Sequence, residues 1–235
     1  MKPAYAAALL ILPALLLPGV VLAATPDVSL SVEPLSSAPP LYQGEPLLVE
    51  GGVARIVAVV SGTNAKPGAL DYEWSVDSVA IANGSGVGKS SLVVDAPLPY
   101  RASTVTVTVS DGSGTLLGTA SVDLSTSDPS VRVYVHDPLL GILFDHALSG
   151  SYAITGSEVS LYGGAYSFPV DSVLPTFEWF LNGASAGQGA AITLRPTGSG
   201  QGAANLSFVA SEGELKTTAS LSLSFGSQSS NILGL

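Results

Sequence analysis

The segment ANGSGVGKSS, residues 82–91, contains Gly-Lys-Ser, the triplet that grips phosphate in nucleotide-binding loops. Such a loop also requires a leading glycine, and Asn83 stands at that position. It must join a buried strand to a helix whose N-terminus faces the phosphates. Here the strand-like residues 92–94 follow, and Pro97 and Pro99 end that run, so no helix can begin. We predict a surface loop that binds no nucleotide.

A second short pattern, GASAG at residues 183–187, matches the Gly-x-Ser-x-Gly turn of serine hydrolases. In that arrangement the serine lies between a strand and a helix, and an acid and a histidine follow it in the chain. No histidine follows Ser185, since the chain has only His136 and His146. We therefore predict a small-residue hairpin loop, no catalytic residue and no enzymatic activity.

Both histidines lie in one stretch, HDPLLGILFDH, residues 136–146. The pairs His136-Asp137 and Asp145-His146 carry imidazole and carboxylate groups, which can bind zinc or a similar metal. Adjacent residues of a strand point to opposite faces, so each pair would supply a single ligand. Two ligands make a poor site, and we predict surface residues around a turn or short helix.

Asp111 and Glu212 each precede a glycine at the tip of an expected hairpin, where either carboxylate can join a calcium site. Neither lies in the dense Asp/Asn spacing of a loop built for calcium. The chain has no cysteine, which excludes disulfides and thiolate metal sites. We predict no metal site and no cofactor, and leave open a weak cation site near Asp111, Glu212, His136 or His146.

The composition of the chain favours strands over helices. Apolar residues make up 46% of the sequence and charged residues only 11%, about half the usual charged share. Charged helix surfaces need Glu, Lys and Arg, whereas strands tolerate Ser and Thr alternating with Val and Leu. The net charge of −10 repels phosphate backbones, so we expect no nucleic-acid binding. An all-β protein is predicted.

The chain begins with Lys2, a long apolar run and the small residues Ala23 and Ala24. This pattern is typical of a signal peptide cleaved after residue 23. The run from 3 to 24 is also long enough to cross a bilayer, so an uncleaved anchor is the alternative. Both interpretations place the rest of the chain outside the cytoplasm, with membrane contact only through this segment. The lack of cysteine in an exported sandwich points to a prokaryotic envelope protein.

Two segments of the sequence align without a gap: DYEWSVDS at 71–78 and TFEWFLNG at 176–183. Each has an aromatic residue, Glu and Trp in a row, which places Trp74 and Trp179 at equivalent positions. A turn pair follows each Trp, and the Asn-Gly pair of the second copy is a strong signal for a two-residue hairpin. Downstream, TVTVTVSDGSGTLLGTASVDLS parallels ANLSFVASEGELKTTASLSLSF, with the alternation of half-buried strands. The chain therefore contains two copies of one unit.

Strand lengths and turn spacing in each unit suit an immunoglobulin-like Greek-key sandwich with the Trp buried on its third strand. We predict two tandem sandwiches, at 26–127 and 128–227, after a signal peptide or anchor at 1–23 and before a flexible tail at 228–235. The join at 125–130, STSDPS, is short, polar and contains proline. It predicts a stiff hinge with few contacts between the two units.

The aromatic-x-Trp motif, the turn pair, the Gly/Ser loop and a Thr/Val strand ending in Ser-Asp-Gly resemble the PKD and related Ig-like repeats of prokaryotic surface proteins. The resemblance covers nearly the whole chain after residue 25 and rests on short, mainly structural motifs. PKD repeats typically follow the Trp with an Asp-Phe-Gly-Asp-Gly type run, whereas SVDS follows Trp74 and FLNG follows Trp179. The resemblance implies a spacer or an adhesive or interaction module.

We predict an exported, non-enzymatic protein of the cell envelope or surface, acting as a spacer or binding another protein in a surface filament or adhesive assembly. The alternative is a glycan-binding module, in which exposed aromatic residues on one face hold sugar rings. The aromatic residues that would serve are Tyr42, Tyr100, Tyr162 and Tyr166. Three of them in one exposed stripe would favour the glycan interpretation.

Overall fold

The computed structural model describes residues 25–170, 174–197 and 201–226. These residues form four β-sheets and one short 3₁₀ turn, Pro67–Ala69. In this part of the chain, no helix is long and apolar enough to cross a membrane. The predicted signal peptide or anchor at 1–23 and the predicted tail at 228–235 lie outside the described residues, so both stay predictions.

Residues 27–125, called here the first sandwich, form two facing sheets. Their strands are β1 (Asp27–Pro34), β2 (Val53–Ser61), β3 (Asp71–Val76), β4 (Val79–Ala80), β5 (Gly86–Val87), β6 (Ser91–Asp95), β7 (Ala102–Ser110) and β8 (Leu116–Ser125). One sheet has the order β1-β2-β6 and the other β4-β3-β7-β8, with β5 paired to β3. The chain therefore crosses between the sheets after β2, after β5 and after β6.

Residues 130–225, the second sandwich, repeat this order with additions. Their strands are β9 (Ser130–Asp137), β10 (Gly141–Ile142), β11 (Gly150–Ile154), β12 (Val159–Tyr166), β13 (Thr176–Leu181), β14 (Ala184–Gln188), β15 (Ala191–Leu194), β16 (Gly202–Glu212) and β17 (Leu215–Phe225). The sheets run β10-β9-β12-β15 and β11-β17-β16-β13-β14. Strand β10 is an added edge strand, and β11 pairs in parallel with β17.

This strand order is the Greek key of an immunoglobulin-like sandwich, so the predicted all-β, Ig-like fold is confirmed. Its cores follow from alternation along the strands. In β7, Val105, Val107 and Val109 are fully buried between the sheets, and the intervening threonines face outward. One core cluster holds Trp74 and a separate one holds Trp179, each with at most 1% of the residue exposed. The two cores fall on either side of the join.

The predicted turn pairs after the two Trp residues are tight hairpins with the same hydrogen bonds. Positive φ at both turn residues, 50° and 68° after Trp74 and 50° and 82° after Trp179, is the geometry of a type I′ turn. The first turn residue, Asp77 or Asn182, also accepts a backbone N–H through its side-chain oxygen, from Thr104 and Asn205 respectively, at 2.8 Å in both. The turn is thereby tied to the neighbouring strand.

Contacts between the two sandwiches are more extensive than predicted. The residues after β1 reach the second sandwich, where Ser36 forms an isolated antiparallel bridge with Pro169. The N–H of Ser37 donates to the Phe168 carbonyl at 2.6 Å. The expectation of few contacts is wrong, because these contacts come from the β1–β2 connection and not from the join at 125–130.

Replacing either core Trp tests the assignment of the two cores. We expect Trp74→Ala and Trp179→Ala each to cost about 3–5 kcal/mol in the free energy of unfolding, because each empties a core position. The matched variants Trp74→Phe and Trp179→Phe keep an aromatic ring and should cost less. Urea unfolding measures both effects. Acrylamide should quench neither Trp in the folded protein, and ready quenching of both would contradict the core assignment.

Candidate functional site

The loop predicted at residues 82–91 leads into strand β6 and not into a helix. The Ser85 hydroxyl accepts the backbone N–H of Trp74 and donates to the Ile81 carbonyl, both at 2.8 Å. The Lys89 carbonyl accepts the indole N–H of Trp74 at 2.8 Å, while the Lys89 side chain is exposed. The loop therefore hydrogen-bonds the buried Trp74 through the Ser85 hydroxyl and the Lys89 carbonyl. It does not have the strand-to-helix geometry of a phosphate-binding loop.

The corresponding loop of the second sandwich makes the same bond to its Trp. The Gly189 carbonyl accepts the indole N–H of Trp179 at 3.0 Å. Ser185, the serine of the Gly-x-Ser-x-Gly match, lies in strand β14 opposite Phe180, and its hydroxyl donates to Glu178 at 2.9 Å. This is a hairpin strand without the strand-to-helix turn that a nucleophilic serine needs.

The carboxylates considered for calcium belong to different sandwiches. Asp111 caps its own hairpin by accepting the Ser113 hydroxyl at 2.6 Å and the N–H groups of Ser113 and Thr115, each at 2.9 Å. These bonds, the Ser113 hydroxyl first, hold the pKa of Asp111 below its ordinary value. Glu212 is buried near the end of β16, opposite Leu215. Neither carboxylate joins the other in a shared site.

The histidine-containing stretch is a hairpin and a loop. Asp137 accepts the N–H groups of Leu139 and Leu140 at 2.8 and 2.9 Å, and these bonds lower its pKa, with Leu140 contributing most. His136 lies in β9 opposite Ile142, whereas His146 is exposed beyond β10. Across residues 25–170, 174–197 and 201–226, no three His, Cys, Asp or Glu residues gather as metal ligands.

The four tyrosines considered for glycan binding do not form an exposed stripe. Tyr100 is fully exposed, Tyr42 is 43% exposed, Tyr162 is half-buried and Tyr166 is only 8% exposed. Tyr100 lies between β6 and β7 of the first sandwich, whereas Tyr162 and Tyr166 lie on β12 of the second. The stated condition of three exposed tyrosines on one face is not met.

Residues 35–49, called here the docking segment, contact the outer face of β12 and its continuation to Val170. This contact brings together residues that are distant in the sequence. Ser167 binds the docking segment twice. Its N–H donates to the Ser37 carbonyl at 2.7 Å, and its hydroxyl accepts the Leu47 N–H at 2.9 Å. The Val170 N–H donates to the Leu35 carbonyl at 3.1 Å. Backbone bonds thus fix the segment along the strand.

A row of aromatic rings continues from this contact across the outer face. Tyr42 of the docking segment meets the ring of Tyr166 edge-on, with centroids 5.0 Å apart. The hydroxyls of Tyr166 and Tyr134 are 2.6 Å apart, and Phe144 stands edge-on between Tyr134 and Tyr162 at 5.1 and 5.9 Å. Burial, followed by the bond to Tyr134, raises the pKa of Tyr166 far above its ordinary value. Tyr166 therefore keeps its hydroxyl proton at physiological pH.

At Gly164 the docking segment comes close to the backbone of β12. A Cβ atom added there would lie 3.1 Å from Cγ of Pro39, 3.2 Å from the Tyr166 ring and 3.4 Å from the Tyr134 ring. Its neighbour Gly163 faces inward, where a Cβ would lie 2.3 Å from the Phe208 ring. The two adjacent glycines therefore admit the docking segment on one face of the strand and the core on the other.

This interface was not predicted from the sequence, although a signal for it exists. Residues 163–169 are all buried, so the strand is covered on both faces. The stretch LYGGAYSFP at 161–169 has no charged residue and does not alternate between apolar and polar side chains. Such a run is typical of strands buried on two sides. The outer face of a sheet in a sandwich is normally exposed to solvent. A run of this kind in such a sheet therefore indicates that another segment lies across that face.

Comparison with known proteins yields distant likenesses to solved structures. No family model and no curated protein matches the chain. Three N-terminal domains of the Highly Immunogenic Outer Capsid protein of bacteriophage RB49 align at 16% identity and TM-score 0.44, over 85% of this chain and 59% of that one. The fibronectin(III)-like modules of CbhA from Clostridium thermocellum give 12% and 0.29, over 83% and 95%. The four N-terminal Ig domains of Dscam1 isoform 8.4 give 12% and 0.31, over 81% and 47%.

Substitutions in the loop at 82–91 separate its structural role from a phosphate-binding one. Ser85→Ala should cost about 1–3 kcal/mol in the free energy of unfolding, because the buried N–H of Trp74 loses its acceptor. Lys89→Ala should change it by less than about 0.5 kcal/mol, because that side chain is exposed. Urea unfolding compares the two. Calorimetry with Mg-ATP should show no heat, and saturable binding lost in Lys89→Ala would contradict the assignment.

Proposed function

We propose that this protein is an exported, non-enzymatic component of a prokaryotic cell envelope that acts as a structural spacer and protein-interaction module. The observation that carries the proposal is the contact between the docking segment and β12. The join at 125–130 is a single connection between the two sandwiches, and a second attachment through Ser167 and Pro39 holds their orientation. A fixed orientation is what a spacer requires.

The disposition of the reactive side chains supports a non-enzymatic role. Ser185 donates to Glu178, so its hydroxyl has no histidine as its acceptor. Asp111 and Asp137 each bind N–H groups of their own turns. A catalytic site brings acid, base and nucleophile within hydrogen-bond reach of one point. In the described residues, the carboxylates of Asp111 and Asp137 stabilise turns and do not converge on one point.

The envelope location rests on the N-terminal segment and on the resemblance to PKD and related repeats. The apolar run ending at Ala23-Ala24 supports export, and the net charge of −10 supports a protein or cation partner over nucleic acid. The resemblance implies a protein partner in the envelope. Glycan binding is the weaker candidate because Tyr166 packs against Tyr42 and Tyr134 instead of facing solvent.

Export is tested by producing residues 1–235 in a prokaryotic host and determining where the product accumulates. We expect it outside the cytoplasm, because small residues end the apolar run. Its intact mass should be that of a chain whose first residue is Ala24 or Thr25. An uncleaved chain held in the membrane would select the anchor alternative. Full-length protein remaining in the cytoplasm would contradict export.

Rigidity is tested with two spin labels, one on each sandwich, which the absence of native cysteine makes straightforward. Val79→Cys and Ala184→Cys place the labels on β4 and β14, the equivalent exposed edge strands. Electron–electron double resonance should give a narrow distance distribution, which Gly164→Val broadens by pushing Pro39 away. Gly68→Val is the matched control, because a Cβ at Gly68 meets nothing within 4 Å. A broad distribution in the unsubstituted protein would refute the spacer.

A further inference from the structure

The outer faces of the two sandwiches are equivalent but differently covered. Ile56 of β2 and Leu161 of β12 are both fully buried, and each pairs with a strand on either side. Three residues after them come Val59 and Gly164, each two residues before the end of its strand. Gly164 lies beneath Pro39 of the docking segment. Val59, at the same position in the first sandwich, is 50% exposed.

Val59 belongs to an apolar patch, called here the open face, formed with Val57 and Val93. Val57 and Val59 alternate with core residues along β2, and Val93 lies on β6 opposite Arg55, next to Val57 in the sheet. Val93 is 57% exposed. Arg55 is paired with Glu33 beside the patch. The open face is thus an exposed apolar surface that can take an aliphatic side chain.

The second sandwich carries an apolar group of the matching kind. Its connection after β9 is equivalent to the docking segment, which follows β1. It begins with a β9–β10 hairpin whose end, called here the tip, exposes 93% of Leu139 and 77% of Leu140. The carboxylate of Asp137 binds the N–H groups of both leucines and holds the tip in shape. The two adjacent leucines place their apolar side chains together at the tip, where a partner can bury them.

We propose that the tip of one copy docks on the open face of a second copy, repeating between molecules the contact that the docking segment makes within the chain. The tip lies where β9 ends, away from the join. The open face includes Val59, near the start of the first sandwich, where Ser61 pairs with Asp27. The tip and the open face therefore lie on different sandwiches, the tip after the last residue of β9 and the open face near the first residue of β1. Such a heterologous contact generates a ring where its rotation closes and an open, head-to-tail array where it does not, and here we expect the open array.

This inference names a second copy of the chain as the partner. It rests on the proposed function only in taking the chain to be an interaction module. The contact should be weak, because it buries a few aliphatic side chains and copies with a net charge of −10 repel each other. Added salt screens this repulsion and should strengthen association. Self-association is thus expected between about 10 µM and about 1 mM and should rise with ionic strength.

The test is light scattering and sedimentation of the protein produced from residues 1–235, with two double variants. The tip variant is Leu139→Ser with Leu140→Ser, and the face variant is Val59→Ser with Val93→Ser. The unsubstituted protein should grow beyond dimers with concentration, and each variant alone should stay monomeric. An equimolar mixture should form heterodimers that grow no further, because the tip variant supplies the only face and the face variant the only tip.

The control variant, Leu98→Ser with Leu116→Ser, removes two other exposed leucines and should associate like the unsubstituted protein. Thermal unfolding confirms that each variant is folded. Three results would overturn the proposal: an unsubstituted protein that is monomeric throughout, one that stops at dimers, or variants that associate unchanged. The last result would assign association to another part of the chain, including residues 1–24 or 227–235. None of these results alters the distance between spin labels within one molecule, so the spacer function is judged separately.

Discussion

The buried indole N–H is the constraint on which each sandwich depends. A Trp on the third strand fills the core, but its donor must find an acceptor, since an unsatisfied buried donor costs about 1–3 kcal/mol. Both sandwiches solve this with a backbone carbonyl from the loop that follows, Lys89 in one and Gly189 in the other. The two loops differ in length and sequence, but each places a backbone carbonyl within hydrogen-bond distance of the indole N–H. The loop is free to vary as long as its backbone returns to the ring.

The parts of the fold that could be predicted are those that local sequence patterns determine. The Trp motifs, the turn pairs and the alternating strands encode local geometry, so they specified the Ig-like order of the sheets and the two buried residues Trp74 and Trp179. The short strands β10 and β11 escaped prediction, because their pairing with β9 and β17 depends on tertiary contact and not on their own alternation. The candidate site escaped for a similar reason, since Pro39 and Gly164 carry no chemistry of their own and matter only through their proximity.

The interface between the sandwiches is built from the groups that this chain has in abundance. Charged residues are scarce, and the contact uses backbone hydrogen bonds, a proline and a row of aromatic rings. Backbone bonds fix the register of the docking segment, and the rings exclude water from one side of them. The hydroxyl pair of Tyr134 and Tyr166 gives this apolar surface an internal polar link. A contact of this kind is insensitive to salt, unlike one made by surface ion pairs.

The parallel pairing of β11 with β17 gives the second sandwich a mechanical property. Gly150 faces Leu221 at one end of the pair and Ile154 faces Phe225 at the other. When a molecule fixed at both ends of the chain is stretched, the two strands are pulled in opposite directions along their length. All five residue pairs then carry the load together in shear, whereas an antiparallel hairpin pulled at its open end yields one pair at a time. Tension that reaches β11 and β17 is therefore borne in shear by a strand pairing that the first sandwich does not contain.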